Sequence, residues 1–151
     1  MNQKERIKHA LDFLNILYQN VTTTKYTCLC AGTDGYYPDS FYDVSIPQQR
    51  QKMAERAITL NDEGKNIALN VNLMDKIPPK KDDGKLARGK AEDITTQIAI
   101  ISDIDTEGGR HTSTEGHIYT PNTEVAISYA PISPSLIVNS GYGVHLYNLL
   151  S

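Results

Sequence analysis

The sequence predicts an α/β (α+β) domain with helices packed on a mixed sheet. Three observations lead there. Apolar residues recur at helical spacing in two separate stretches. Short apolar or alternating segments of strand length lie between and after them. No linker-like stretch divides the chain, so residues 1–151 read as a single domain able to bury a core.

Ile7, Ala10, Leu11, Leu14 and Leu17 form one apolar stripe, which predicts an amphipathic helix over about residues 3–19. TKYTCLCAG reads as a strand ending at Gly32, and TDGYYPDSFYDVSIP as a turn-rich loop. A second helix fits 48–62, with Met53, Ala54, Ala57 and Ile58 facing inward and Gly64 as its stop. NIALNVNLM is an alternating strand, followed by the basic loop KIPPKKDDGKLARGK. IAIISDID reads as a buried strand, followed by a polar segment holding Gly108, Gly109 and Gly116. Thr120 and Pro121 suit the N-cap and first position of a short helix through Tyr129. SLIVN and VHLYNLL are then two strands joined by SGYG, a hairpin-length turn.

A content of 39 % hydrophobic and 22 % charged residues is that of a soluble globular protein. No apolar run approaches membrane-span length and the polar start MNQKERIKHA lacks a secretory core, so a cytoplasmic setting is expected, with no membrane partner. Cys28 and Cys30 read as reduced core residues, because no second cysteine pair completes a zinc site. The net charge of −3 gives no broad basic surface, but Lys76, Lys80, Lys81, Lys85, Arg88 and Lys90 cluster against Asp82 and Asp83. Both a solvated loop and a basic arm for a polyanion fit that cluster.

Asp103 and Asp105 share one strand face, about 7 Å apart at the backbone. Paired carboxylates keep their charge best around a cation, and oxygen ligands suit Mg²⁺ or Mn²⁺. The bland alternative is a pair of acids at an exposed strand end. His145 alternates with core positions on its strand, where a hydrogen-bonded structural role is the ordinary one. The preceding SGYG permits close backbone approach to a ligand, so Ser140, Gly141, Gly143 and His145 are candidates for holding a phosphate. The P-loop pattern is absent.

Taken in order, RGKAEDI, IAIISDIDTEGG, HIYTPNTE and SPSLIVNSGYGVHLY resemble the primase-polymerase (prim-pol) proteins of phages and plasmids, in the archaeo-eukaryotic primase superfamily. The resemblance runs from about Tyr26 onward and is strongest over 88–105 and 134–147. It implies a prim-pol-like fold with an RRM-like half. It also implies template-directed primer synthesis from nucleoside triphosphates on single-stranded DNA, in a bacterial host carrying the phage or plasmid. Asp103 and Asp105 would ligate the metals, and His145, in Gly143-Val144-His145, would contact the triphosphate. A serine is common where Gly143 stands. Lys80, Lys81, Lys85, Arg88 and Lys90 would track template or phosphates. The family's third acid should follow His145, yet no Asp or Glu follows Glu124. The chain therefore reads as the N-terminal portion of a prim-pol catalytic domain, truncated at its C-terminus, or as a naturally short relative. Its remaining partners would be a further primase segment or a downstream helicase.

Three rivals stand beside this expectation. One is a non-catalytic module that binds nucleotide or single-stranded DNA. A second is a tyrosine nickase, which is disfavoured because His111 and His117 are too far apart for its paired-histidine metal motif. The third is an α/β domain whose acids have no special task.

Overall fold

The computed structural model describes residues 1–107, 119–139 and 143–150. The chain has the expected α/β class, with three α-helices and eight strands among the described residues. The strands form two antiparallel sheets rather than one mixed sheet. The parallel contact among the described residues is an isolated bridge between Thr106 and Thr120. The chain divides into two compact units, Met1–Ile98 and Ala99–Ser151.

The first unit opens with α1, Gln3–Leu17. Asn2 caps it by accepting from the Glu5 N–H, while the Glu5 carboxylate accepts from the Asn2 N–H. The stripe predicted from the sequence turns Leu14 and Leu17 into the core. α2, Pro47–Asp62, starts with proline at its first position and ends before Gly64, whose φ of +81° suits a residue without Cβ. Met53, Ala54 and Leu60 are its buried residues. Arg6 ties the start of α1 to the end of α2 through Asp62 and Asn61.

These helices accompany a five-stranded sheet ordered β2-β1-β4-β5, with β3 also on β1. β1, Tyr26–Gly32, is the central strand, and its middle five residues are buried. Cys28 and Cys30 lie there as free thiols, their sulfurs 3.6 Å apart. The loop expected after Gly32 is instead largely a strand, β2, Tyr37–Asp43. Its Pro38 is tolerated because β2 lies at the sheet edge. Asp39 is an extra residue there: the register passes from Leu29–Ser40 to Cys30–Pro38. The Arg56 guanidinium donates to both Asp39 oxygens, at 3.0 and 2.6 Å. The single strand expected over NIALNVNLM is broken into β3, Asn66–Leu69, and β4, Leu73–Met74. A 3-10 turn at Ala91–Asp93 leads into β5, Ile94–Thr96.

The second unit is smaller. β6, Ala99–Asp105, β8, Gly143–Leu149, and β7, Leu136–Asn139, form a sheet in the order β6-β8-β7. A short helix, α3, Thr123–Ser128, packs on β8. Its cap is Asn122, whose side chain accepts from Val125 N–H, and not Thr120. Thr120 is engaged elsewhere: its hydroxyl donates to the Asp105 carbonyl and its own carbonyl accepts from Glu107 N–H. Ala126, Val144 and Leu146 form the buried cluster, joined by Ile104, Ile127 and Ala130. Each large side chain buried there contributes roughly 1.5–3 kcal/mol. Among the described residues, no helix is long and apolar enough to cross a membrane.

Candidate functional site

β8 is the middle strand of the second sheet and β6 an edge strand, so β6 is not buried as IAII suggested: Ile100 and Ile101 are exposed. Among the described residues its partner in the sheet is β8, and much of its side-chain surface is exposed. The seven-residue register between β6 and β8 decides what meets what. Asp103 stands opposite His145, and Asp105 opposite Gly143. Side chains alternate along a strand, so Asp103, Asp105, His145 and Tyr147 share one face. Val144 and Leu146 take the other, where they join Ala126 in the core. Fold and candidate chemistry therefore occupy opposite sides of the same ribbon.

His145 Nε2 lies 3.2 Å from Asp103 Oδ1. The Asp103 side chain is 70 % exposed and that of His145 34 %. The carboxylate is thus open to a ligand, while the ring is held by its place between β6 and β7, with Val138 as its partner on β7. Burial, and then the negative charge of Asp103, push the Tyr147 phenol above its ordinary pKa. Tyr147 belongs to this face although the motifs did not single it out. Its spacing of two from His145 was the available signal.

Gly143 answers to steric demand. A Cβ there would stand 2.3 Å from the Ile104 carbonyl oxygen and 3.1 Å from Asp105 Cα. Its φ lies outside the left-handed region, so close strand approach and not backbone freedom requires the glycine. A serine at this position would meet the same backbone atoms. Ser140 and Gly141, the other proposed phosphate contacts, lie outside the described residues, as do Gly108, Gly109, Gly116, His111 and His117.

Two carboxylates from one strand face are a donor set that fits a hard divalent ion, since Mg²⁺ is commonly held by one or two carboxylates together with phosphate and water oxygens. Glu107 continues the alternation beyond Asp105, but its backbone leaves the strand and hydrogen-bonds the Thr120 carbonyl. Among the described residues, no three His, Cys, Asp or Glu side chains are grouped to hold a metal.

The basic candidates belong to the first unit. Lys81, Arg88 and Lys90 line a cleft of about 470 Å³ with Pro78, Pro79 and Asp93. Arg88 Nε donates to the Asn70 side chain at 3.1 Å, which anchors the loop to the turn after β3. Lys85 pairs with Asp83 and Lys90 with Glu92 at exposed positions, where such pairs contribute little. Lys80 is fully on the surface side of the loop, exposed like Lys81 and Lys85. Gly89 has a φ of +93°, and a Cβ there would meet Met74 Sδ at 2.8 Å, so the loop is pressed onto β4 at that point.

An apolar cavity of about 390 Å³ lies between α1, α2 and the first sheet, lined by residues such as Phe13, Leu29, Met53, Ile58 and Ile67. It has no charged lining residue. Comparison with protein-family models, curated proteins and solved structures finds no match to this chain.

Proposed function

We propose that this chain is a prim-pol-type nucleotidyltransferase module, a fragment or short relative, that binds a nucleoside triphosphate with Mg²⁺ or Mn²⁺. The observation that carries this reading is the β6–β8 register, which brings Asp103, Asp105 and His145 to adjoining positions on one sheet face. Asp103 and Asp105 supply carboxylate oxygens for the ions. His145, beside them, contacts the triphosphate. Ions held there would supply charge neutralisation for the triphosphate and activation of the attacking hydroxyl. The lysines and arginine of the loop after β4 offer charge for single-stranded DNA, with affinity that falls steeply as salt rises. The work would take place in the cytoplasm of a bacterial host of the phage or plasmid.

A second reading, a non-catalytic nucleotide- or single-strand-binding module, is favoured by one observation: no third acidic ligand joins the pair among the described residues. A calorimetric titration of nucleoside triphosphate with Mn²⁺ separates the readings, using wild type and Asp103→Asn/Asp105→Asn. Metal-dependent binding that the double variant loses is the expected result. Binding that needs no metal supports the accessory module, and no binding at all removes the nucleotidyltransferase reading and leaves only single-strand binding.

A further inference from the structure

We propose that the apolar cavity of the first unit binds a small molecule of about two fused rings, uncharged along its body and carrying one hydrogen-bonding group at its end. The cavity has a volume of about 390 Å³. Folded interiors hold few voids larger than a water molecule, so a space of this size is not ordinary packing. Ligand sites begin at roughly 300 Å³, and an apolar cavity of about 150 Å³ already stays dry and takes up benzene. A space more than twice that large suits two rings.

The sequence makes this space by setting short side chains where two helices face a sheet. Ala10 of α1 and Ala54 and Ala57 of α2 line it, at positions where longer residues would fill it. The cavity also reaches the core. Leu29 of β1 and Met53 of α2, each 1 % exposed, are among its walls. That depth separates it from a flat apolar patch, which suits a protein surface, and gives it the concave form of a small-molecule site.

The lining defines the chemistry of the ligand. No charged residue contributes to it, so a charge carried inside would lose its water with no counter-ion in return. The polar lining residues are Asn61, Tyr36 and Asn66, and all three are exposed, which marks the end that opens to water. Asn61 is already engaged: its side-chain oxygen accepts from Arg6 at 2.7 Å and its amide nitrogen donates to the Lys65 carbonyl at 3.1 Å. Tyr36 and Asn66 are left to meet the ligand, with a phenolic hydroxyl and an amide for one hydroxyl or carbonyl group. The rings then lie inward against Leu29 and Met53. This inference concerns the first unit alone and is independent of the nucleotide reading.

Methyl NMR of the full chain during titration with naphthol tests it. The expected result is saturable shifts at the Leu29, Met53 and Ile67 methyls, with Overhauser contacts from the naphthol ring to Leu29 and Met53. The unfolding temperature should rise as naphthol is added, because the ligand binds the folded state. A naphthalene disulfonate, charged at both ends, cannot enter without burying a charge and should leave those methyls unmoved. Ala57→Phe fills the space from α2, so it should raise the urea midpoint and weaken naphthol binding by at least about tenfold. Ala57→Leu, a smaller filling, gives the same reading where phenylalanine overfills the site. A wild type without saturable shifts overturns the proposal, whatever the variants do. So does a disulfonate that binds as well as naphthol, or naphthol binding that both fillings leave unchanged.

Discussion

Gly143→Ala is the most direct test of how β6 and β8 meet. The new Cβ would stand 2.3 Å from the Ile104 carbonyl oxygen, where real Cβ atoms essentially never come closer than 3.0 Å. The obstacle is backbone on a paired strand, so it cannot swing aside as a side-chain tip would. The strands must separate locally by about 1 Å, and overpacking of this kind costs about 1–3 kcal/mol. Alanine also narrows the unfolded ensemble and returns about 0.4–1 kcal/mol. The net expectation is a loss of about 1–2 kcal/mol, read as a lower urea midpoint with unchanged slope. Gly143→Ser should behave alike, because its Cβ meets the same atoms. Amide exchange should quicken first at Ile104 and Asp105, where the ladder is pushed apart. A variant as stable as wild type, with unchanged protection there, would refute the close approach and the reason offered for glycine at this position.

Three further substitutions probe two separate parts of the fold. The two hydrogen bonds from Arg56 hold the Asp39 carboxyl below the ordinary carboxylate range, helped by Ser40. A lowered folded pKa stabilises above the unfolded value, near pH 4, and that contribution disappears as pH falls through the folded value. Asp39→Asn should therefore flatten the loss of stability below about pH 4, and Arg56→Met should cost about 1–2 kcal/mol at neutral pH, the low end for a part-exposed charged hydrogen bond. An acid-unfolding curve of Asp39→Asn superimposable on wild type would count against this account. Leu146→Ala removes a fully buried side chain from the small core of the second unit, and about 2–4 kcal/mol should go with it. Hydrogen exchange of β8 amides should accelerate accordingly; unaltered protection would mean that Leu146 is not what holds α3 to the sheet.

Much of this architecture was legible because it rests on periodicity. The stripe Ile7–Ala10–Leu11–Leu14–Leu17, the inward set Met53–Ala54–Ala57–Ile58 and the Gly64 stop place α1 and α2 within a residue or two. β2 was hidden because YPDSFYD combines a proline with a bulge at Asp39, which breaks alternation. Thr120-Pro121 has the composition of a helix start, but the Thr120 hydroxyl and carbonyl serve the end of β6, leaving the cap to Asn122. Composition made IAIISDID look buried, yet its place at the edge depends on which strands pair, and that is a tertiary fact. The candidate site divides the same way. Residue types and order named Asp103, Asp105 and His145, but only the register across 41 intervening residues sets His145 against Asp103. No local pattern encodes that offset.

β8 also constrains how this protein can change over time. Val144 and Leu146 pack with Ala126, while His145 and Tyr147, the latter buried, take the opposite face beside Asp103. Substitutions at these positions act one at a time, but loss or gain of a single residue within Gly143–Leu149 would turn the strand over. Histidine and tyrosine would then be driven against Ala126, and valine and leucine would be set beside the acids. Length variation should therefore be far more damaging in this segment than replacement, and a library of one-residue deletions across Leu136–Leu149 should show survival only outside the strands.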